Sequence, residues 1–366
     1  MDRRRIERLP VDPSRGRFRA LARVRQVASR LSFLVTWATI AWVSVPPVTD
    51  AGERQERCAA AAPLRIANLS PFHIPYAAPA SFGACALAPG ETEAIVSMDM
   101  ASHMLSARSG SESLALDGET WRPSLTLRHG VGDGWDYTLE VAAVSHGPGV
   151  FDGFIEGWHS TFDLPQGGRD TTPRDRLRIS HARDGRGRVD IDRAVSSAGD
   201  LTLGIGRALG PSVLSNDGLA LRAAVRLPTG DEDALAGAGG LSAALWAETS
   251  GQLWKPDWLY GAAAGALAAK PPRALSGVDR GFVLFARLGA TWRPLADLAL
   301  SVQADVATPP YRSSLAPLGG PSILFGMGGR LRLAPRATLE IAVTEDDGWR
   351  RAAPDIGLHA AIRWHL

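Results

Sequence analysis

From about residue 92 to the last residue, the chain alternates apolar and polar side chains with a period of two. In WDYTLEVAA (135–143), Trp135, Tyr137, Leu139, Val141 and Ala143 share one face, and Asp136, Thr138 and Glu140 take the other. LALRAAVRL (219–227) sets Leu219, Leu221, Ala223, Val225 and Leu227 against Arg222 and Arg226. DLALSVQADV (297–306) sets Leu298, Leu300, Val302, Ala304 and Val306 against Ser301, Gln303 and Asp305. A strand turns successive side chains to opposite faces, so this period predicts β-strands with one greasy and one wetted face.

A soluble sandwich alternates too. Three features point instead to an antiparallel transmembrane β-barrel. The runs are about ten residues long, the length of a tilted bilayer-crossing strand. Aromatics (Trp121, Trp135, Trp258, Trp292, Trp364) mark run ends, where interfacial girdles sit. Connections alternate short and long: GVGDG (130–134), RPLAD (293–297) and APRA (334–337) against 146–175, 228–240, 269–280, 308–320 and 345–354. Short periplasmic turns and long external loops give that asymmetry.

Strands are expected near 92–104, 112–130, 134–145, 199–209, 218–228, 241–250, 258–269, 281–292, 298–307, 321–333, 337–344 and 355–366. That makes about twelve, with LRISHARDGRGRVDID (177–192) as a hairpin above the rim, or fourteen if it joins the wall. The apolar phase shifts between Leu114 and Leu116 (even) and Trp121, Leu125 and Leu127 (odd), which suggests a β-bulge at Gly118. The final run, IGLHAAIRWHL (356–366), is amphipathic to its end, as barrel C-termini commonly are, although Leu366 stands where an aromatic is usual.

Residues 1–51 carry ten arginines against Asp2, Glu7, Asp12 and Asp50, and lead into LSFLVTWATIAWVSV (31–45), followed by small residues near 49–51. A basic start, an apolar run too short to span and a small-residue site read as a signal peptide. Residues 52–91 are then an arm in the periplasm or the lumen. Cys58 and Cys85 either pair in an oxidising periplasm or stay as two thiols. The formal charge of +2 argues against nucleic acid as a partner. No cysteine or histidine array calls for zinc, and no motif calls for a cofactor: GIGRALG (204–210) opens no helix, and RLPTGD (226–231) lacks the lysine of a phosphate loop.

One stretch breaks the period. In GVFDGFIEGWHSTFDLPQGGRD (149–170), Phe151, Ile155, Trp158 and Phe162 form one helical stripe, and Asp152, Glu156, His159 and Asp163 another. Pro165 and Gly167–Gly168 end it. A short two-faced helix is expected inside the external 146–198 loop. Its candidate residues are Asp152, Glu156, Trp158, His159, Asp163, Arg169 and Asp170. The leading reading is a lid over the mouth. A cation site on Asp152, Glu156 and His159 is a weaker one, because charged helical stripes are usually solvated. Catalysis with His159 as base is weaker still, since Ser160 points about 100° away from it on a helix. The lumen face carries Arg122, Arg128, Asp136, Glu140, Arg222, Arg226, Arg287, Gln303, Asp305, Arg330, Arg332, Glu340 and Arg363, which can either line an aqueous path or pair off and close it.

The segments NLSPFHIPYAAP (68–79), LDGETWR (116–122), GFIEGWHSTFDLPQGGRD (153–170), GDLTLGIG (199–206) and RLPTGD (226–231) resemble the successive landmarks of an uncharacterised family of Gram-negative outer-membrane barrels. The resemblance implies the barrel and the outer membrane, with membrane lipid and the barrel-assembly machinery as partners, and no reaction. A narrow channel or uptake protein with a loop lid is therefore the leading expectation. A closed structural or surface-binding barrel follows it, and an outer-membrane lipid or ester hydrolase comes third.

Overall fold

The computed structural model describes residues 50–161, 175–212, 215–348 and 351–366. Twelve antiparallel strands close on themselves: β1 (Thr92–Ser109), β2 (Glu112–Gly132), β3 (Trp135–Gly147), β7 (Leu201–Ser212), β8 (Ser215–Leu227), β9 (Ser242–Gln252), β10 (Trp258–Ala268), β11 (Phe282–Leu295), β12 (Leu298–Ala307), β13 (Ser322–Ala334), β14 (Ala337–Asp346) and β15 (Ile356–His365). The last strand pairs with the first, from Glu93↔His365 to Ser102↔Ile356, so the wall has no free edge along that seam. The 177–192 segment forms a hairpin, β4 (Arg178–Arg183) and β5 (Arg186–Ile191), that among the described residues pairs only with residues 112–117 of β2, above the rim. A short β6 (Val195–Ala198) similarly caps the top of β3. Twelve strands, not fourteen, make the wall.

The alternation sorts the side chains as a bilayer and a wet bore would. On β3, Tyr137, Leu139 and Val141 are exposed while Asp136 is wholly buried. On β11 and β12, Phe282, Leu284, Leu288, Trp292, Leu300, Val302 and Val306 face outward, with Arg287, Thr291, Ser301 and Gln303 buried inside. Polar in and apolar out reverses the order of a water-soluble protein, and a belt this continuous needs lipid around it. At the end where turns are short, Trp254, Trp258 and Trp292 stack with ring centroids 5.7 and 6.0 Å apart.

Strand β2 corrects one expectation. It is a single long strand, but no bulge interrupts it at Gly118: its register with β1 runs unbroken from Thr92↔His129 to Ser109↔Glu112. Leu114, Leu116, Thr126 and Arg128 all point inward. The phase shifted in sequence because the inside itself changes character. Above the polar bore, Leu114 and Leu116 join an apolar cluster with Phe72, Ile179, Leu235, Trp246, Leu267, Tyr311 and Leu318, which closes the loop end. Gly118 still has a purpose. Its φ is +120°, and a Cβ there would lie 2.6 Å from the Gly147 carbonyl oxygen, so only glycine fits where the strand leans over.

Candidate functional site

The bore holds the chain's own N-terminal segment. Helix α1 (Asp50–Ala61) sits at the short-turn end, and from there residues 62–76 climb to the loop end. At the top, Tyr311 Oη donates to the Phe72 carbonyl (2.5 Å) and Tyr76 Oη to that of Ala269 (3.3 Å). Residues 77–88 come back down to a Cys58–Cys85 disulfide, then feed β1. The arm is thus a bent-double loop with both ends at one mouth. Gly261 allows it to hug the wall, since a Cβ there would meet the Ala61 carbonyl oxygen at 1.9 Å.

Beyond helix α1, five prolines (63, 71, 75, 79 and 89) keep the arm out of α-helix and strand, leaving one 3-10 turn at Ile74–Tyr76, and remove five N–H donors. Its own backbone bonds are confined to local turns such as those around Ser70–Ala77. What remains is a run of buried carbonyls that require donors. The wall supplies arginine, whose guanidinium carries five N–H groups and accepts nothing. Arg330 gives Nη1 to Ala60 and Ala62 O (3.1 and 2.8 Å) and Nη2 to Pro63 O (3.0 Å). Arg226 reaches Ile74, Pro75 and Ala77 O at 3.4, 3.1 and 3.0 Å. Arg287 takes Pro79 and Ala78 O (2.6 and 3.2 Å), Arg222 takes Gly83 O (3.1 Å), and Arg128 takes Cys85 O (2.7 Å).

Four of these arginines, all but Arg226, also pair across strands. Arg287 meets Asp305 (3.0 Å) and Arg330 meets Glu340 (2.6 Å), each directly opposite in register. Arg222 bridges Asp136 (2.9 Å) and Glu248 (3.0 Å), Asp136 also holds Arg128 (2.5 Å), and Arg122 binds Glu140. Side-chain acceptors finish the match: Leu64 N donates to Gln303 Oε1 (2.6 Å), Arg65 N to Glu340 Oε1 (2.8 Å), and Phe82 N to Glu248 (3.2 Å). The Phe82 ring lies 5.0–5.3 Å from the guanidinium carbons of Arg65, Arg128 and Arg222.

Around the arm the structure leaves a cavity of ≈ 480 Å³ at the short-turn mouth, and voids of ≈ 80 and ≈ 40 Å³ farther in. Among the described residues the loop end is filled by the apolar cluster and by residues 228–241, whose Ala234, Leu235, Ala236 and Ala238 are buried. Asp200 pins that loop by accepting from Gly230 N and Ala238 N (2.9 and 2.8 Å).

A family model described as "Protein of unknown function (DUF3187)" matches residues 39–366. The chain belongs to this family. No curated protein matches it. Among solved structures it is similar to an outer membrane channel from Pseudomonas putida F1, at 15% identity over 77% of this chain and 98% of the other, with a TM-score of 0.49. It is also similar to the NanC porin (10%, 75% and 100%, 0.42) and to the Pseudomonas putida toluene transporter TodX (10%, 75% and 88%, 0.33).

Of the sequence-derived candidates in this family member, Arg128, Asp136, Glu140, Arg222, Arg226, Arg287, Asp305, Arg330 and Glu340 all turn into the bore, where they meet each other and the arm. The loop helix forms as α2 (Asp152–Thr161), tied to the wall where Glu119 accepts from Val150 N and Phe151 N (2.9 and 2.8 Å). Asp163, Arg169 and Asp170 lie outside the described residues, as do the side chains of Trp158 and His159. Among the described residues, no group of three or more His, Cys, Asp or Glu could hold a metal ion. Sequence reasoning missed Glu93, Asp99 and Glu248, buried acids on the wall, and Arg65 on the arm. His359, on β15, lies with its Nδ1 2.6 Å from Asp99 and its Nε2 3.2 Å from Glu340. The available signal was the arm's proline-rich, donor-poor composition beside a bore rich in arginine.

Proposed function

We propose that this protein is an outer-membrane barrel of the channel or uptake class whose resting bore is stoppered by its own N-terminal arm. In this reading residues 1–51 direct export, the barrel-assembly machinery inserts the wall, membrane lipid meets the apolar belt, and the short turns face the periplasm with the long loops outside. The observation that carries this reading is the set of five wall arginines spending donors on arm carbonyls. A wall built only for strength could pair its charges across strands and leave no donors over. Here the donors are matched to a removable segment. Lid action by the 149–170 loop is a smaller share of the same closure.

Planar-bilayer recordings test it. The intact protein passes little current, and deleting residues 64–83, between the two cysteines, raises conductance at least tenfold. Deleting 151–163 raises it by less. Equal, negligible currents from all three proteins sink the channel reading. They support instead a closed surface-binding barrel, which the dry cluster beneath the loops favours.

A further inference from the structure

The ≈ 80 Å³ void lies between the arm and strands β1, β2, β3, β7 and β8, and is lined by guanidinium groups from both the arm and the wall. Arg65 comes from the arm. Its Nη2 donates to Thr126 Oγ1 (2.9 Å) and lies 3.5 Å from Glu140, but its Nε and Nη1 are buried with no partner. The side chain is 4% exposed, so solvent does not serve these donors. Arginine cannot shed its proton to escape the mismatch. Arg226 lines the same void with only neutral carbonyls as partners and no ion pair among the described residues. Arg122 is the third, sharing Glu140 with Arg65.

The acids around the void are already engaged. Glu140 holds Arg122 and accepts from Thr126 Oγ1 (3.2 Å), Asp99 lies against His359, and Asp200 takes two loop amides. The unmet demand is for an acceptor. We infer that this void is an anion site, sized for a halide or a small carboxylate such as formate or acetate. A planar guanidinium offers parallel N–H groups to such oxyanions. Because Arg65 belongs to the arm and Arg122 and Arg226 to the wall, an anion held there clips one to the other. As a statement of which solute the bore prefers, small anions, the inference rests on the channel reading; the site itself does not.

The test is bromide soaked into crystals of the detergent-purified protein and located by anomalous scattering, paired with chloride-35 line broadening in solution. The expected result is a peak in the void beside Arg65, Arg122 and Arg226 and chloride broadening, both lost in Arg65→Gln and the broadening weakened in Arg226→Gln. Heat-modifiable gel mobility checks that the variant walls remain closed, and Arg65→Lys, which keeps the charge, restores part of the broadening. Ordered water alone in the void, bromide only at surface arginines as an adventitious ion, or broadening that survives Arg65→Gln overturns the site. Bound bromide with no bilayer current keeps the site and removes the channel reading; current with an anion-free void does the reverse.

Discussion

The wall is held by backbone ladders between neighbouring strands, whereas the arm inside it depends on side chains that the wall provides. The wall's partners are fixed by register, so each residue's surroundings follow from its parity. The arm's partners come from six or more strands at once, at sequence separations such as 239 between Leu64 and Gln303 and 208 between Arg287 and Pro79. A structure of the first kind tolerates local change; one of the second kind is sensitive at its shared donors. The difference teaches where this molecule can yield: at the interface between the two, before the ladders.

Arg222 belongs to both regions and gives the sharpest way to break the distinction. Arg222→Ala leaves Asp136 and Glu248 buried without it and frees Gly83 O, and losing one partner of a buried charge network costs about 3–5 kcal/mol. Urea unfolding in detergent should register that loss, with Arg222→Lys recovering part of it. A loss under 1 kcal/mol means the wall does not rely on this charge.

The disulfide belongs to the arm alone. Cys58→Ser with Cys85→Ser should loosen the arm by about 3 kcal/mol through restored chain freedom, while the barrel keeps its heat-resistant gel mobility. Hydrogen exchange of residues 62–88 reads the arm separately from the wall. If strand amides exchange faster by the same factor, the two regions are one cooperative unit.

The smallest expected effect is a pH dependence at the arm's apex, outside the strands. His73 is buried with neither ring nitrogen partnered, and burial lowers its pKa to about 4 from 6.5. The released arm therefore binds more protons than the seated one between those values. Seating is unaffected above pH 6.5 and weakens as pH falls toward 4, by up to about 3 kcal/mol. His73→Phe should flatten the acid-induced rise in proteolysis near residue 73; an unchanged pH slope in that variant assigns the effect elsewhere.

The wall was legible because a period of two has few physical explanations. Tyr137, Leu139 and Val141 against Asp136 and Glu140 already stated which side was wet. The Leu114–Leu116 phase was misread because periodicity reports polarity and not direction: an inward-facing leucine under dry loops looks the same as an outward-facing one in lipid. The lumen arginines could be named, yet their partners could not. Which carbonyl meets Arg226 depends on how a segment 149–152 residues away bends through the bore, and no local pattern encodes that. The arm's five prolines remove donors without setting its path through the bore.

The return of the arm to its starting mouth has a topological consequence. Since α1 and Cys85 meet at the same opening, the folded-back segment never passes from one side of the membrane to the other. Like a cork on a short tether, it can enter or retract through the short-turn opening after the cylinder has sealed, with no seam parted.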